Sequence, residues 1–345
     1  MTGGKLLDTL AGTRSAAPPI WLMRQAGRYL PEYRAVRATT KSFLEFCYTP
    51  DKAVEVTLQP IRRFGLDAAI IFSDILVIPD ALGQKVWFEE GEGPKLEALT
   101  DPVQFGQLSR VRLREFLAPV YEAIRRVRAE LPSETALLGF AGAPFTLACY
   151  MIEGSGSKDF AKVKKWAYAH PHSFGLLIDL LVEAIVDHLD NQVVAGADAV
   201  QLFDSWAGIL PESELFKWSV EPLTRIARSL RERHPAVPII VFPRAVGPAA
   251  LMYRRPQEFS ALSIDTGLGA HWAAKELQPQ MCLQGNLDPL MLVVGGQAME
   301  DEAKRILDKL GNGSFIFNLG HGVVPQTPPD HVARLVEIVR GWKPS

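Results

Sequence analysis

Residues Thr49 to Asp74 read TPDKAVEVTLQPIRRFGLDAAIIFSD and contain the helix-and-strand unit from which the fold is predicted. Its first three residues supply a helix N-cap, a proline suited to the first helical position and an acid in the first turn. Apolar residues then recur on one helical face, and Gly65 is well placed to end the helix. A continuous apolar run follows at Ala68–Ser73, as expected of a parallel strand covered on both faces. The stretch therefore predicts one helix followed by one buried strand.

The same rhythm of helix, turn and apolar run recurs along the whole chain. A helical stripe from Phe174 to Leu189, for example, is followed by Gly196 and the run Ala199–Asp204, and a last helix is predicted at Pro329–Arg340. Eight runs qualify as buried strands: Ile20–Arg24, Ala68–Ser73, Ala136–Phe140, Ala199–Asp204, Ile239–Pro243, Leu262–Thr266, Cys282–Asn286 and Phe315–Gly320.

Eight strands that alternate with helices favour an α/β fold, namely a single (β/α)8 barrel of the TIM type. A doubly wound open sheet is the rival fold. It is disfavoured in its dinucleotide-binding form, because no GxGxxG motif follows the first strand. Since no linker divides the chain, we expect one domain over residues 1–345, with residues 1–17 as a flexible N-terminal lead-in.

Composition limits the partners of the protein. The 37 Lys and Arg residues nearly balance the 39 Asp and Glu residues, so a generally basic surface for nucleic acid is excluded. The three cysteines are widely spaced, which argues against a disulfide framework and fits a reducing cytosol. No run approaches the roughly 18 apolar residues of a membrane span. We expect a cytoplasmic protein that binds neither nucleic acid nor membrane.

In a barrel of this type the active site lies at the carboxyl ends of the strands. Polar and titratable residues gather there in this sequence: Arg24, Gln25, Arg28, Asp74, Tyr150, Asp204, Ser205, Asp265, Asp288 and His321.

A local excess of cations follows the first strand. Residues 24–41 contain five basic residues and only one acid, Glu32, although the chain as a whole is slightly acidic. Arginine binds carboxylates through two parallel hydrogen bonds, so the cluster indicates an anionic substrate. A solvated basic surface is the alternative interpretation. The five residues are Arg24, Arg28, Arg34, Arg37 and Lys41.

Each of the other candidates has a structural alternative. Asp74 could stabilise a developing cation as a preorganised carboxylate, or could only cap a helix. His321 lies between two glycines that free the backbone to expose its ring, or it is a turn histidine without chemistry. Tyr150 and Ser205 are weak signals on their own. A final set of residues could cap helices or hold a divalent metal in an aldolase or lyase: Asp204, Asp265, Asp288 and His321.

Two long stretches resemble signatures of the uroporphyrinogen decarboxylase family. Pro18–Tyr33 reads PPIWLMRQAGRYLPEY and is similar to the family's N-terminal signature, and Gly139–Gly154 reads GFAGAPFTLACYMIEG and is similar to its second signature. Further matches follow in the family's order and span nearly the whole chain: Ile71–Leu76, Gln201–Gly208, Gln284–Pro289 and Asn318–Val323.

The resemblance implies a single, somewhat distorted barrel, a homodimer, and a step of haem and porphyrin biosynthesis that uses no cofactor and no metal. The reaction would remove the four acetate carboxyls of uroporphyrinogen III, giving coproporphyrinogen III and four carbon dioxide molecules. One loop departs from the expected Phe-x-Lys-Gly pattern, because the sequence reads FPRAVG at Phe242–Gly247.

The resemblance also implies roles for individual residues. Arg24 and Arg28 would meet substrate carboxylates, and Asp74 would bind the pyrrole N–H groups. The implied catalytic residues are Asp74, Arg24, Tyr150 and His321. The implied substrate site consists of Arg24, Gln25, Ala26, Gly27, Arg28, Phe43, Asp74, Tyr150, Phe203, Ser205 and His321.

Decarboxylation without a cofactor needs an electron sink, which the pyrrole provides once a ring carbon is protonated. An ionised Asp74 would stabilise the resulting cation more than the neutral ground state. The proton donor stays open among Tyr150, His321, a water and Arg24, the last being far too basic unless strongly perturbed.

Two further alternatives come from other functional classes. A related methyltransferase would carry zinc on a His-x-Cys motif, but no histidine here lies two residues before a cysteine. A tetrapyrrole carrier would use the same basic pocket without turnover.

Overall fold

Parallel strands alternate with helices along the chain in the computed structural model, which describes residues 4–89 and 91–344. The strands are β1 (Ala68–Ile70), β2 (Val86–Glu89), β3 (Gly93–Leu96), β4 (Ala136–Gly142), β5 (Ala199–Asp204), β6 (Ile239–Pro243), β7 (Ala261–Ser263), β8 (Cys282–Leu287) and β9 (Phe315–Leu319). Seven of them form one parallel sheet in the order β1-β4-β5-β6-β7-β8-β9, while β2 and β3 pair as a separate antiparallel hairpin.

The α-helices cover the outside of the sheet and one end of it. They are α1 (Gly4–Leu10), α2 (Pro31–Arg37), α3 (Phe43–Cys47), α4 (Pro50–Phe64), α5 (Val77–Ala81), α6 (Leu113–Phe116), α7 (Ala118–Glu130), α8 (Pro144–Glu153), α9 (Ala161–Ala169), α10 (Pro171–Val194), α11 (Glu212–Leu215), α12 (Glu221–Arg233), α13 (Ala270–Glu276), α14 (Pro289–Val294), α15 (Gly296–Leu310) and α16 (Pro329–Gly341). Shorter turns of helix are Pro102–Gln107, Ala207–Ile209 and Gly247–Tyr253, of the 3-10 type, and Phe216–Val220, of the π type. Within the described ranges, no helix has both the length and the apolar character needed to cross a bilayer.

The segment around Ile20 closes the barrel between β9 and β1. On one side the Phe317 amide donates to the Pro19 carbonyl at 2.8 Å, and on the other the Asp67 amide donates to the Ile20 carbonyl at 2.9 Å. The predicted first strand, Ile20–Arg24, is wrong as a strand, because it pairs only through one isolated bridge from Ile20 to Phe317.

Side chains replace the missing ladder bonds of this closing segment. The Asp67 carboxylate accepts from the Ile20 amide, and the Asn318 side-chain oxygen accepts from the Met23 amide at 3.1 Å. The Gln25 side chain bridges the segment to the Ala68 carbonyl at 3.0 Å. The prediction of a TIM-type α/β barrel is confirmed. Its first segment is held in place largely by side-chain hydrogen bonds.

Two predicted strands end three residues earlier than their apolar runs, and β9 ends one residue earlier. The chain leaves the sheet after β1 because the Phe72 amide donates to the Thr57 hydroxyl of α4 at 2.9 Å instead of to a neighbouring strand. β7 likewise ends at Ser263, whereas the apolar run extended to Thr266. The final helix, α16, begins at the predicted residue and runs one residue further.

Small residues at the amino ends of the strands leave space inside the barrel. Ala68 pairs with Ala136, and Ala261 pairs with Cys282. Helix α1 fills this space, with Leu6 fully buried and Leu10 nearly so. The structure thus differs from the expected flexible lead-in over residues 4–10, because burying these leucines stabilises a helix there. Residues 1–3 lie outside the described part of the chain.

A layer of polar side chains lies above α1 in the barrel interior. The Trp21 indole donates to the Gln284 side-chain oxygen at 2.9 Å, and the Gln284 amide donates to Gln201 at 3.0 Å and to Ser263 at 3.1 Å. Buried polar groups of this kind are tolerated because they satisfy one another. The layer separates α1 from the opposite end of the barrel, where the strands have their carboxyl ends. We call that end the mouth.

Candidate active site

The floor of the mouth consists of aromatic rings from three neighbouring strands. Phe140 and Phe203 meet edge to face with ring centres 5.7 Å apart, and Phe203 meets Phe242 in the same way at 6.2 Å. The His321 ring lies 6.4 Å from Phe242 and continues the row. Side chains alternate along a strand, so these phenylalanines follow interior residues two positions earlier. Phe203 thus lies where a substrate site was expected.

Asp74 reaches the mouth on the loop that follows β1. One carboxylate oxygen, Oδ1, accepts from the Leu76 amide at 2.8 Å, and the other accepts from no group in the described ranges. Burial raises the pKa of Asp74 to about 6, against the opposing effects of the Leu76 hydrogen bond and the Arg24 charge. Asp74 therefore does not cap α5, whose N-cap is Leu76; it orders the loop before that helix and leaves one carboxylate oxygen at the mouth without a donor among the described residues.

Arg24 faces the mouth from the closing segment in an unusual backbone conformation. Its φ is 60°, in the left-handed region that favours glycine. A non-glycine residue there costs of order 1 kcal/mol or more, so its side chain is retained at the expense of stability. The guanidinium of Arg24, like that of Arg28, donates to no acceptor in the described part of the chain. Both arginines are exposed and remain free to bind an anion.

Arg34 and Arg37 of the predicted basic cluster serve the local structure. Arg34 donates to the carbonyls of Arg28 and Tyr29 at 2.7 and 3.2 Å, and so ties α2 to the preceding turn. Arg37 donates to the Thr40 backbone and hydroxyl. The structure therefore separates two free arginines from two that hold the loop together.

The His321 loop owes its two glycines to lack of space. Neither Gly320 nor Gly322 has a positive φ. The glycines are therefore not needed for backbone freedom, which was the reason given for them from the sequence. A Cβ on Gly320 would stand 2.6 Å from the Thr266 side chain, and one on Gly322 would stand 2.6 Å from Arg24 Cγ. Burial, together with the charges of Arg24 and Arg244, lowers the pKa of His321 to about 3. The ring is neutral at physiological pH.

Tyr150 and Ser205 complete the rim next to the floor. Tyr150 lies on α8, which begins just after β4, and its ring meets Trp206 edge to face at 6.0 Å. Burial raises the pKa of the Tyr150 phenol, and the Asp74 carboxylate raises it further. Ser205 directly follows β5, and its hydroxyl makes no hydrogen bond within the described residues. The structure thus brings both residues to the end of the barrel that holds Asp74.

An aromatic wall stands beside the mouth, and the sequence analysis identified only Phe43 of it. The Phe43 ring meets Phe72 at 5.8 Å and Phe88 of the hairpin at 4.7 Å. Phe72 lies in the run Ala68–Ser73, which was predicted as a buried strand and not as part of the site. Phe88 was missed because only tertiary folding brings its hairpin over α3.

The turn from Gln25 to Gly27 is held by hydrogen bonds and close packing. The Gln25 side chain is fully buried, and its oxygen accepts from the Leu22 amide at 3.1 Å while its amide binds Ala68. A Cβ on Gly27 would stand 2.9 Å from the Arg24 carbonyl, so glycine is needed for the turn. Ala26 is half-buried beside it. The structure gives the Gln25 side chain the task of positioning its neighbours rather than facing the mouth.

The acids considered as ligands of a metal lyase accept hydrogen bonds from other groups of the protein. Asp204 accepts from the hydroxyls of Thr146 and Ser219, and Asp265 accepts from two backbone amides. Asp288 caps α14 through the Leu290 amide. Over residues 4–89 and 91–344, no three His, Cys, Asp or Glu side chains come together as a metal site. These acids therefore provide no assembled set of ligands.

Comparison with solved structures agrees with the barrel. A methyltransferase from Methanosarcina mazei superposes with a TM-score of 0.78 over 97% of both chains, at 19% sequence identity. A B12-independent methionine synthase from Shewanella superposes with a TM-score of 0.53 over 84% of this chain and 87% of its own, at 10% identity. At these identities the likeness establishes the fold alone.

Sequence comparison identifies the family. A uroporphyrinogen decarboxylase from Rhodospirillum rubrum is 53% identical over 334 residues, which cover 97% of this chain and 96% of that protein. One from Sinorhizobium fredii is 52% identical over 342 residues, which cover 99% of both. The family model for uroporphyrinogen decarboxylase matches residues 2–342. The resemblance read from the signatures is thereby confirmed, and the chain belongs to the uroporphyrinogen decarboxylase family.

Proposed function

We propose that this protein removes the four acetate carboxyl groups of uroporphyrinogen III, giving coproporphyrinogen III and four carbon dioxide molecules. The observation that carries the proposal is the pairing of a free Asp74 carboxylate oxygen with two unpaired arginines, Arg24 and Arg28, around an aromatic floor. Membership of the family and the names of its relatives support this substrate.

Arg24 and Arg28 bind carboxylates of the substrate in this proposal. An octacarboxylate needs local cations, and neither arginine forms a salt bridge with a carboxylate in the described ranges. One arginine–carboxylate contact at about 4 Å contributes roughly 4 kcal/mol of attraction at an effective dielectric near 20. The near-neutral chain thus concentrates positive charge where the anion binds.

Asp74 stabilises the cation that forms during the reaction. Protonation of a pyrrole ring carbon makes the ring cationic, and the bond between the acetate methylene and its carboxylate then breaks. Carbon dioxide leaves, the bonding electrons neutralise the ring, and a second proton placed on the methylene carbon, with loss of the first from the ring, yields a methyl group. A carboxylate aimed at the pyrrole N–H groups favours the cation over the neutral ground state, which lowers the barrier.

The other rim residues bind and orient the macrocycle. His321 is neutral, because its pKa is lowered to about 3, so its ring offers one hydrogen-bond donor and one acceptor. Tyr150 keeps its phenolic proton at neutral pH, because burial raises its pKa. Phe43, Phe203 and Ser205 complete the pocket with Ala26 and Gly27, and Gln25 acts through the turn that it holds.

The remaining features of the proposal have two sources: the dimer and the absence of a metal or cofactor rest on the family resemblance, and the others rest on composition and the lack of a linker. We infer a single domain over residues 1–345 that acts as a homodimer in the cytoplasm, with neither metal nor cofactor and with no nucleic-acid or membrane partner. The pyrrole itself serves as the electron sink. Light scattering during gel filtration tests the dimer, and activity after exhaustive EDTA dialysis tests metal independence.

An anaerobic incubation of the purified protein with uroporphyrinogen III, without added metal or cofactor, tests the proposed reaction. The products are oxidised and separated by carboxyl number. We expect seven-, six-, five- and four-carboxyl porphyrins to arise in succession. Recovery of the eight-carboxyl porphyrin alone, from protein that circular dichroism shows to be folded, would refute the decarboxylase and leave a tetrapyrrole-binding protein.

A further inference from the structure

We propose that Arg244 is a third substrate-binding arginine, which holds a carboxylate on the side of the mouth opposite Arg24 and Arg28. This inference rests on the proposed function and deepens it by assigning the far edge of the substrate site. Arg244 lies in the loop FPRAVG that follows β6.

The strand geometry directs Arg244 toward the mouth. Ile240 and Phe242 are interior residues of β6, and Arg244 is the next residue of the same parity. The ladder between β5 and β6 continues this far, because the Arg244 amide donates to the Asp204 carbonyl at 3.1 Å. The strand geometry therefore directs Arg244 to the same side of β6 as Phe242, at the mouth.

The backbone on either side of Arg244 is held in place. The Gly208 amide donates to the Arg244 carbonyl at 3.0 Å, and the Ala245 amide donates to the Asp265 carboxylate at 2.6 Å. Ala245 has a φ of 63°, and a Cβ on Gly208 would stand 2.6 Å from the Ala245 carbonyl carbon. A preorganised loop loses little entropy when the arginine binds its ligand.

Arg244 has no acid of the protein to neutralise it. Its guanidinium donates to no acceptor in the described ranges, although it is half-buried. The acids that follow the two neighbouring strands already accept hydrogen bonds, Asp204 from hydroxyls and Asp265 from backbone amides. A half-buried cation without a partner is costly, and an anionic ligand would remove that cost.

The barrel order places Arg244 across the mouth from the first two arginines. Over the described residues, the barrel wall has eight segments, namely the closing segment at Ile20 and the seven strands of the sheet. If the closing segment is counted as the first, β6 is the fifth in either direction around the barrel and therefore lies opposite it. The His321 ring, 6.4 Å from the Phe242 ring of β6, is influenced by both sides, since the charges of Arg24 and Arg244 both lower its pKa. A ring-shaped substrate with carboxylates around its whole edge would meet cations on both sides.

Steady-state kinetics of Arg244→Gln and Arg244→Lys with uroporphyrinogen III test this role. We expect Arg244→Gln to raise KM at least tenfold while kcat changes less than threefold, and Arg244→Lys to fall between Gln and wild type because it keeps charge but loses the fork. Arg114→Gln is the control, because Arg114 on α6 likewise has no hydrogen-bond or ion-pair partner in the described ranges but is exposed on an outer helix.

The same kinetics with the five-carboxyl intermediate identify the carboxylate bound. An equal rise of KM for both substrates assigns a propionate, which persists through all four steps, whereas a rise confined to the eight-carboxyl substrate assigns an acetate. A KM within twofold of wild type for both substrates, or a fall of kcat alone, overturns the inference. Absence of turnover by the wild-type protein would instead refute the proposed function itself.

Discussion

Gly322 lies flat against the aliphatic part of Arg24, so that a Cβ built on Gly322 would stand 2.6 Å from Arg24 Cγ. The two loops are joined next to this contact, because the Val323 amide donates to the Met23 carbonyl at 2.8 Å. The position of the Arg24 guanidinium thus depends on the absence of a side chain some three hundred residues further along the chain. Residues without any chemistry of their own set the geometry of this site.

Gly322→Ala should therefore impair catalysis by displacing Arg24. We expect kcat/KM to fall at least tenfold, since a loss of about 1.4 kcal/mol of transition-state binding already has that effect. Gly175→Ala on α10 is the control, because a Cβ there meets no atom within 4 Å. Wild-type kcat/KM in folded Gly322→Ala protein would contradict the packing argument.

Arg24→Lys and Arg28→Lys should each weaken or abolish turnover although they keep the positive charge. Lysine cannot reproduce the two parallel hydrogen bonds by which a guanidinium holds a carboxylate. We expect kcat/KM to fall by roughly tenfold or more for each variant, equivalent to about 1.4 kcal/mol or more. Unchanged kinetics in both variants would rule out binding of substrate carboxylates by these two arginines.

Asp74→Asn should abolish most of the activity and at the same time stabilise the fold at neutral pH. The pKa of Asp74 is raised from 3.8 to about 6 by folding, so ionisation of the folded state costs stability as pH rises through this range. The asparagine oxygen can still accept from the Leu76 amide, so the loop is preserved. Allowing for partial exposure, the gain at pH 7.5 should be roughly 1 to 2 kcal/mol.

Urea unfolding at two pH values checks this sign. Near pH 3.5 both states of wild-type Asp74 are largely protonated, so the gain from Asp74→Asn should nearly vanish there. Equal gains at both pH values would show that the charge is not responsible. Tetrapyrrole binding measured on the same variant distinguishes a carrier, whose function would be unaffected, from the decarboxylase.

His321→Gln should leave the pH dependence of kcat/KM unchanged in shape. Because the pKa of His321 is lowered to about 3, its protonation contributes nothing above about pH 5. The acidic limb near pH 6 belongs to Asp74 and should persist at the same pH in the variant. A pH–rate profile that loses this limb in His321→Gln would assign the limb to the histidine.

Leu6→Ala should destabilise the protein although the residue lies in the predicted lead-in. Truncation of a fully buried leucine costs about 2 to 5 kcal/mol. Leu7→Ala is the matched control and should cost less, because Leu7 is only half-buried. Activity at 25 °C should persist, since the polar layer of Trp21, Gln201 and Gln284 separates α1 from the mouth. If Leu6→Ala were as stable as the wild-type protein, the prediction of a flexible N-terminal lead-in would be supported instead.

The family and the barrel could be predicted from local sequence. Continuous apolar runs between capped helices placed seven strands of the sheet, because the period of apolar residues directly reflects burial on both faces. Asp74, Tyr150, Ser205 and His321 were found because the carboxyl ends of parallel strands must meet at one end of a barrel.

Other features depended on contacts between distant parts of the chain. The segment at Ile20 was predicted as a strand. Its backbone amides instead donate to the side chains of Asp67 and Asn318, and these bonds replace most of a strand ladder. Phe88 reaches Phe43 only because a hairpin folds over α3. No local pattern records such pairings, since each depends on where a second element lies.

The pattern of apolar, helix-ending and charged residues was sufficient to predict the barrel and its polar rim. Which of the charged side chains are free to bind a ligand followed only from how the chain packs in three dimensions. The side chains of Arg34 and Asp204 form hydrogen bonds within the protein. In the described ranges, the guanidinium groups of Arg24, Arg28 and Arg244 have no hydrogen-bond or salt-bridge partner. The reason is that a side chain's reactivity depends on its neighbours' burial and unused hydrogen bonds, and these are set by three-dimensional packing.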